Sequence, residues 1–456
     1  MNNLQRTTLA FSCIAVLLAI IGFAQSWSVA LGIINLCLIS AVMALGVNIQ
    51  WGYAGLLNVG VMGFAALGGM AAVLVSEAPV AAAWQAGASK LLVALVFFLG
   101  TIAGTIVCYR KMSAGRPKTF TIALIIIAGL ALTRYWLDPA VASIEAVEPA
   151  KTGFLGGLGM PILFSWVIGG FVAAGIAWVI GKIALGLRAD YLAIATLGIS
   201  EIIIAVLKNE DWLTRGVKNV TGLSRPVPYE IELQQSDWFI DIINSWHSSA
   251  LSSLSGDEKT EALKQFVIEG SSIFVKLCYA GLFAFVLLVI LMLSVKALNS
   301  PWGRMMRAIR DNEIAAGAMG KDVTRRHLEI FVIGSAVIGI GGAMLTTLDG
   351  QFTPTSYQPL RYTFLIWVMV IVGGSGNNMG SVLGGFLIWI IWIEAEPVGV
   401  WLVEMGTSWM HDSNSVRAHL MENAQHMRLF FMGLVLLLVM RFSPSGILPE
   451  VIKKRD

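Results

Sequence analysis

The sequence carries few charged residues for a chain of 456 residues. Asp, Glu, Lys and Arg together make up 13% of it, about half the share that is usual in soluble domains. The hydrophobic fraction is 57%, and many apolar runs approach the length of about 20 residues that a helix needs to cross a bilayer. This scarcity of charge excludes a typical soluble domain and predicts a helical protein that crosses a membrane many times.

Cysteine and histidine are also scarce, which argues against a disulfide framework or a metal centre. The four cysteines all lie inside apolar runs without paired spacing: Cys13, Cys37, Cys108 and Cys278. We interpret them as small hydrophobic side chains in packed helices. His411, His419 and His426 share one segment, but their spacing is wider than zinc sites usually use. We therefore predict no metal ligands and no cofactor in this chain.

The sequence also lacks the motifs of nucleotide binding and covalent catalysis. No GxxxxGK[ST] run occurs, because Gly320-Lys321 lacks both the upstream glycine and the following Ser or Thr. The glycine-rich loop with which this motif binds ATP phosphates is therefore missing. No nucleophile–base signature is present either. We predict that the chain is not an enzyme, that any ATP hydrolysis takes place in another polypeptide, and that nucleic acid is not a partner.

The apolar runs predict an all-α fold, a polytopic helical membrane protein with about 10 to 12 spans in one transmembrane domain, 1–456. The runs lie near 8–25, 29–50, 53–75, 90–109, 119–137, 159–181, 190–208, 271–296, 327–348, 362–373, 380–395 and 427–441. A helix of about 12 residues covers only about 18 Å of a hydrocarbon core about 30 Å thick. Some spans are therefore expected to be broken or re-entrant, above all near the glycines of 51–69 and 373–380.

Basic residues predict which face of the membrane each loop occupies. They cluster in 110–118, 182–188, 300–327 and the C-terminal Lys453, Lys454 and Arg455. Alternating spans place all four clusters on one face, which the positive-inside rule makes cytoplasmic together with the C-terminus. The segment 209–270 is then a periplasmic insertion. Helical spacing predicts two amphipathic helices in it, Ser236–Trp246 and Asp257–Ile268, which either dock a partner or rest on the headgroups.

The segment 300–327 is a polar, basic island between two long apolar runs. Three arginines recur in it at helical spacing, small residues follow them, and Gly320 is the expected helix stop. This pattern predicts a short surface helix with a thin face that a partner can approach closely. The alternative is a plain amphipathic helix at the membrane interface.

Polar residues and glycines inside the apolar runs have two interpretations. They either allow close helix packing or expose non-helical backbone along a water-filled pathway. The candidate pathway residues are Asn48, Tyr53, Asn58, Glu201, Gly373, Gly374 and Gly376. Glu201 is the one carboxylate well inside an apolar run, where ionisable groups usually face the protein interior. Its alternative role is a structural pair with Lys208.

Seven segments resemble, in the same order along the chain, the permease subunits of branched-chain amino acid ABC importers. They are WGYAGLLNVGVMGFAALGGM (51–70), LRADYLAIATLGISEII (187–203), NVTGL (219–223), GRMMRAIRDNEIAAGAMG (303–320), FVIGSAVIGIGGAM (331–344), IVGGSGNNMGSVLGG (371–385) and RFSPSGIL (441–448). The combination is specific, although each Gly-rich run alone is a weak signal. The resemblance is to the longer of the two paired permeases, the M-type subunit.

This resemblance implies a permease of the bacterial inner membrane, surrounded by lipid and taking part in ATP-driven import of amino acids, above all branched-chain ones. The implied partners are a second permease subunit in a heterodimer, two ATP-binding subunits and a periplasmic substrate-binding protein. The implied coupling loop is 297–326. Its residues that would couple to the ATPase are Arg304, Arg307, Arg310, Glu313, Ala315, Ala316 and Gly320.

Three alternatives stay open at the level of sequence. The run GGSGNN, the triplet 361–363 and the long segment 226–270 depart from the family pattern, so urea or a short amide fits the apolar pathway as well as an amino acid does. A stand-alone secondary transporter would need inverted repeats and buried ligands for a coupling ion, and only faint repetition is present. A membrane-embedded enzyme would use the histidines of 411–426.

Overall fold

The computed structural model describes residues 3–113, 115–149, 152–410 and 415–450. These residues form an almost wholly helical protein with one two-stranded ribbon, and the predicted all-α fold is confirmed. The predicted His411 and the basic C-terminal residues Lys453, Lys454 and Arg455 lie outside the described residues.

The helices before the insertion follow the predicted apolar runs. They are α1 (Asn3–Ala24), α2 (Trp27–Val47), α3 (Val61–Ser76), α4 (Ala81–Lys111), α5 (Arg116–Glu145), α6 (Leu163–Ala184) and α7 (Ala189–Asn209). A π-helical turn, Asn48–Gly52, continues α2. Residues 55–60 are not helical, so the chain is broken between α2 and α3, as the glycines of this region predict.

The insertion contains short helices and one strand. The helices are α8 (Asp211–Thr214), α9 (Glu230–Gln235), α10 (Asp237–Trp246) and α11 (Ser248–Leu251), with a 3-10 turn at Gly216–Lys218. Strand β1 (Val220–Thr221) pairs antiparallel with β2 (Gln351–Phe352). The helix predicted at Ser236–Trp246 corresponds to α10, which buries Phe239 and Ile243.

The second amphipathic helix, predicted at Asp257–Ile268, is not a separate element. These residues are the start of α12 (Asp257–Asn299), a helix of 43 residues that leaves the insertion and crosses the protein. No proline interrupts it, and Gly270 does not break it. A Cβ atom built on Gly270 would lie 2.7 Å from Cδ1 of Ile243, so this glycine gives α10 room to pack.

The last part of the chain contains the island and the closing spans. Its elements are α13 (Pro301–Asp311), α14 (Glu313–Ala318), α15 (Val323–Asp349), a 3-10 turn at Pro354–Ser356, α16 (Pro359–Gly373), α17 (Asn378–Gly406), α18 (Ser415–Asn423), a 3-10 turn at Ala424–His426 and α19 (Met427–Phe442). The island therefore forms two short helices instead of one.

Among the described residues, nine helices are long and apolar enough to cross a membrane: α1, α2 with its π-helical turn, α4, α5, α6, α7, α12, α15 and α17. The pair α18 and α19, bent by 62°, counts as a tenth if the two helices form one broken span. Two shorter apolar helices, α3 and α16, coincide with the regions predicted to be broken. The protein is thus a multi-pass helical membrane protein, as predicted.

Helices α2, α3, α6, α15, α16 and α17 form the centre of the molecule, where small residues bring backbones into contact. A Cβ atom built on Gly342 of α15 would lie 1.9 Å from the carbonyl oxygen of Ala65 in α3, and one on Gly339 would lie 2.7 Å from that of Gly169 in α6. Small residues at such crossings are typical of helices packed within membranes. By contrast, α4 and α5 form a peripheral hairpin that packs mainly on itself.

The helices alternate in direction, so their ends define two faces. Arg310 in the island contacts Gly52 at the end of α2, and Gly181 near the end of α6 packs against Leu328 at the start of α15. We call this side the basic face. The β1–β2 pair ties the insertion to the far end of α15, so the insertion lies on the opposite face, in agreement with the predicted alternation.

Candidate functional site

Two broken spans meet near the basic face. Between α16 and α17 the chain turns through Gly374 (φ 121°) and Gly376 (φ 78°), a conformation that side chains other than glycine rarely adopt. Asn48 joins this turn to the end of α2: its Oδ1 accepts a hydrogen bond from the Gly376 N–H at 2.8 Å, and its Nδ2 donates to Asn378 Oδ1 at 3.0 Å. We call residues 48–60 and 373–378 the broken-helix junction.

Glycine lets the two parts of the junction approach closely. A Cβ atom built on Gly52 would lie 2.5 Å from the Gly376 nitrogen and 2.2 Å from Asn48 Oδ1. A Cβ on Gly373 would lie 2.0 Å from the carbonyl oxygen of Gly380. These distances leave no room for a side chain, so the glycines serve turns and close packing in this conformation.

A second amide pair fills the junction on the side of α15. Asn58 donates to Gln50 Oε1 at 2.9 Å, and Gln50 Nε2 donates to the carbonyl oxygen of Phe331 at 2.8 Å and to Ser335 Oγ at 3.1 Å. Trp367 Nε1 donates to the carbonyl oxygen of Asn58 at 3.0 Å. Buried polar groups need such partners, and both amides are buried.

The junction contains six of the seven predicted pathway residues. Asn48, Asn58, Gly373 and Gly376 take part in the contacts above, Gly374 forms the turn, and Tyr53 is buried. In this conformation they are packed and paired with one another, so their role in a pathway stays a prediction. Gln50 belongs to the same network, and its position inside an apolar run was a signal that the sequence analysis did not use.

Glu201 is placed differently from the expectation of an interior carboxylate. Helix α7 packs on α3 through Ser200: a Cβ atom built on Gly63 would lie 2.9 Å from Ser200 Cα. The next residue lies about 100° further around the helix, and Glu201 is exposed. Within the described residues it has neither an ion pair nor a hydrogen bond, so the alternative pair with Lys208 is not formed.

The island has a packed base and an exposed tip. Helix α13 buries Met306 and Ile309 and is tied to α15 by the Trp302 Nε1–H, which donates to Glu329 Oε2 at 3.1 Å. Asn312 ends α13 and starts α14, since its Oδ1 accepts a hydrogen bond from the Ala315 N–H at 3.0 Å. This side-chain cap explains why the single predicted helix divides at this residue.

Helix α14 presents small and apolar residues to its surroundings. Ile314 is 82% exposed and Met319 is 80% exposed, whereas Ala316 is buried against the protein. Glu313, Ala315 and Gly320 are exposed. Gly320 ends the helix with a φ of 77°, and nothing lies within 4 Å of a Cβ built on it. The predicted thin face and helix stop therefore lie on one open surface, which we call the α14 surface.

The three predicted arginines have different surroundings. Arg304 is exposed, and Arg307 donates to the carbonyl oxygen of Leu298 at 3.3 Å. Arg310 donates from Nη1 to the carbonyl oxygen of Gly52 at 2.5 Å and to Glu450 Oε2 at 2.9 Å. Arg310 is thus held within the chain and joins the island to the junction and to the C-terminal segment.

The ion pairs of Arg310 stabilise its charge. Partial burial disfavours the charged form, but hydrogen bonds and attraction from Glu450, with a smaller contribution from Asp311, outweigh it and raise the pKa of Arg310 above its usual value. Glu450 lies 140 residues away along the chain. No local pattern in the sequence indicates this pairing, which only the fold brings about.

A family model and three curated relatives point to the same family. A sequence model of the family described as "Branched-chain amino acid transport system / permease component" matches residues 140–440, more than half of the chain. The chain is 25% identical to the protein named high-affinity branched-chain amino acid transport system permease protein LivM of Salmonella typhimurium and to that of Escherichia coli. Each of these alignments covers 62% of this chain and 56% of the relative.

A more distant relative and the solved structures complete the comparison. The probable branched-chain amino acid transport permease protein LivM of Methanocaldococcus jannaschii is 25% identical over 38% of this chain and 46% of its own length. The chain thus spans about half the length of these curated relatives. No solved structure matches it.

Proposed function

We propose that this chain, which belongs to the family of branched-chain amino acid transport permease components, is the membrane-spanning permease subunit of an ATP-driven importer for amino acids, with branched-chain amino acids as its principal solutes. Three of its relatives are named for branched-chain amino acid transport. The observation that carries the mechanism is the α14 surface, an exposed apolar helix on a basic loop outside the spans.

In the proposed mechanism, the α14 surface docks into an ATP-binding subunit. Ile314 and Met319 would lose their exposure to water on docking, and burial of such side chains stabilises an interface by about 1.5–3 kcal/mol each. Ala315 and Gly320 allow close approach of the partner. Exposed Arg304 is available to pair with acidic partner surface. The alternative is that the same residues form a plain amphipathic helix at the membrane interface.

Movement of the docked island would reach the spans through two contacts. The Trp302–Glu329 hydrogen bond links α13 to the start of α15, and Arg310 links its end to Gly52. Because Gly52 belongs to the broken-helix junction, displacement of α13 would act directly where two spans are interrupted. The helices that flank the island, α12 and α15, would tilt with it.

The remaining partners are a second permease subunit, a second copy of the ATP-binding subunit and a periplasmic substrate-binding protein. Glu201 supports the second permease, because an exposed carboxylate in a span is costly in lipid and is better accommodated against protein or in a shared aqueous pathway. The positive-inside rule makes the basic face and the C-terminus cytoplasmic in a bacterial inner membrane, and it makes 209–270 periplasmic.

The test of this proposal is purification of the chain with its co-expressed partners, followed by uptake of labelled leucine into liposomes. We expect an ATP-binding subunit to co-purify and uptake to require ATP. Transport by this chain alone would instead support a stand-alone transporter. Uptake of urea or a short amide in place of leucine would support the alternative solutes.

A variant of the α14 surface tests where the ATP-binding subunit docks. We expect Ala315→Arg to abolish co-purification of that subunit and uptake, because a long charged side chain prevents close approach. The matched control is Ala250→Arg, at an exposed position of α11 on the opposite face. Equal co-purification with both variants would contradict docking at α14.

A further inference from the structure

A cavity of about 260 Å³ lies between α2, α3, α15, α16 and α17, with its mouth at the end of α15 on the opposite face. Its deeper walls are aliphatic and thioether side chains, including Ile39, Met43, Leu345, Leu365, Ile366 and Met369. Its mouth is polar and includes Asp349, Gln351 and Thr353. The volume is slightly below the range of about 300–1,000 Å³ that is typical of pockets for drug-sized ligands, so the cavity suits a smaller molecule.

Asp349 gives the mouth of this cavity a negative charge. It is exposed, and none of the described residues pairs or hydrogen-bonds with its carboxylate. It is also the last residue of α15, and the carboxyl end of a helix carries negative potential of its own. A carboxylate at this end of a helix is unfavourable alone and attracts a cation.

A positive charge near this end of α15 is already engaged. Arg225 approaches Gly350, the residue after Asp349, with its Nε 3.8 Å from a Cβ built there. Its Nη1, however, donates to Glu230 Oε2 at 3.0 Å. Arg225 therefore does not neutralise Asp349, and the charge at the mouth is left for a ligand.

A second polar atom in the cavity wall lacks a partner. Thr353 Oγ1 is buried and has no hydrogen bond among the described residues, although buried hydroxyls are nearly always paired. The neighbouring Tyr357 hydroxyl, by contrast, is satisfied by Thr346 Oγ1 at 2.8 Å. The cavity thus combines apolar walls with an unpaired anion and an unpaired hydroxyl at one end.

We infer that this cavity is a binding site for the transported solute within a single permease chain, and that it takes an aliphatic amino acid. The ammonium group of the solute lies at Asp349, and its apolar side chain lies among the aliphatic walls. The hydroxyl of Thr353 is a further hydrogen-bonding group for the polar end of the solute, which carries both the ammonium and the carboxylate group. This inference rests on the proposed function, since it takes an amino acid as the solute.

The floor of the cavity connects this site to the mechanism. Met62 lines the cavity, and its N–H donates to Thr363 Oγ1 at 3.4 Å. One helical turn beyond Thr363, Trp367 is bound to Asn58 of the junction. These contacts link the floor of the site to the junction, whose Gly52 is bound by Arg310, so movement of the junction would open the floor.

Binding of labelled leucine to the purified full chain in lipid nanodiscs tests the site. Competitors are unlabelled leucine, 3-methylbutan-1-amine, which keeps the ammonium group, and 4-methylpentanoate, which lacks it. We expect leucine and the amine to compete and the acid to fail. Equal competition by all three compounds, or no binding of leucine to the chain, would overturn the inference.

Two variants locate the site on the protein. Asp349→Asn removes the charge with almost no change of shape, and we expect the Kd for leucine to rise about 10- to 100-fold, because a hydrogen bond between charged groups is lost. Met369→Trp fills the cavity and is expected to prevent binding. The control is Asp241→Asn at an exposed position of α10. A Kd unchanged by both cavity variants would refute the site.

Uptake by the complete assembly separates this inference from the proposed function. If the assembly imports leucine and Asp349→Asn imports it with unchanged KM, the cavity is not the solute site although the proposed function stands. If the chain binds leucine in the cavity but the assembly imports no amino acid, the proposed function fails although the cavity binds its ligand.

Discussion

At the scale of single residues, the broken-helix junction depends on glycines and amides whose roles are complementary. Gly52 and Gly376 bring two interrupted spans into contact, and Asn48 supplies the hydrogen bonds that the interruption leaves open. Backbone groups within a membrane must be satisfied inside the protein. The junction is therefore sensitive to changes of a single atom.

Gly52→Ala tests this close packing. The added Cβ would lie 2.2 Å from Asn48 Oδ1 and 2.5 Å from the Gly376 nitrogen, so we expect the free energy of unfolding to fall by about 1–3 kcal/mol. The measurement is thermal unfolding of the purified protein in detergent. Gly32→Ala is the matched control, since nothing lies within 4 Å of a Cβ at that position. Equal melting temperatures for the two variants would contradict the account.

Sequence reasoning found part of this network. Asn48 and Asn58 stand out as polar residues in apolar runs, and the glycine clusters predicted the breaks. The partners of these residues were not predictable, because hydrogen bonds such as that between Arg310 and Glu450 join residues far apart in the chain. The exposure of Glu201 depends on which face of α7 packs on α3, and the sequence of α7 alone does not determine this.

At the scale of elements, the island is two helices, of which the first, α13, is held at both ends. Trp302 anchors the start of α13 to α15, and Arg310 anchors its end to Gly52 and Glu450. The sequence predicted a helix and its stop at Gly320, but the division at Asn312 depends on a side-chain cap. Likewise, α12 joins a predicted surface helix to a predicted span, because the intervening residues contain no helix-breaking proline.

A double-mutant cycle tests the link between the island and the spans. We expect Arg310→Ala and Glu450→Gln each to lower leucine uptake per ATP hydrolysed, because either change weakens the contact that transmits movement to the junction. The two effects should not add in the double variant, since the residues share one interaction. Uptake and ATP hydrolysis are measured in parallel on the reconstituted assembly. Additive effects, or unchanged coupling in the single variants, would refute this link.

At the scale of the whole molecule, the spans alternate between the two faces and leave distinct surfaces for different neighbours. The basic face carries the α14 surface, and the opposite face carries the insertion and the mouth of the cavity. Composition and hydropathy predicted this arrangement, because the apolar runs and the basic loops alternate along the chain. They do not predict the cavity, which five helices and the segment 351–357 form only after folding.

The most direct test of the central claim is a cryo-electron microscopy structure of the assembly purified through this chain. The account predicts that α14 inserts into an ATP-binding subunit and that Ile314 and Met319 become buried there. A structure in which α14 contacts no other subunit, or lies on the side of the membrane away from the ATP-binding subunits, would contradict it.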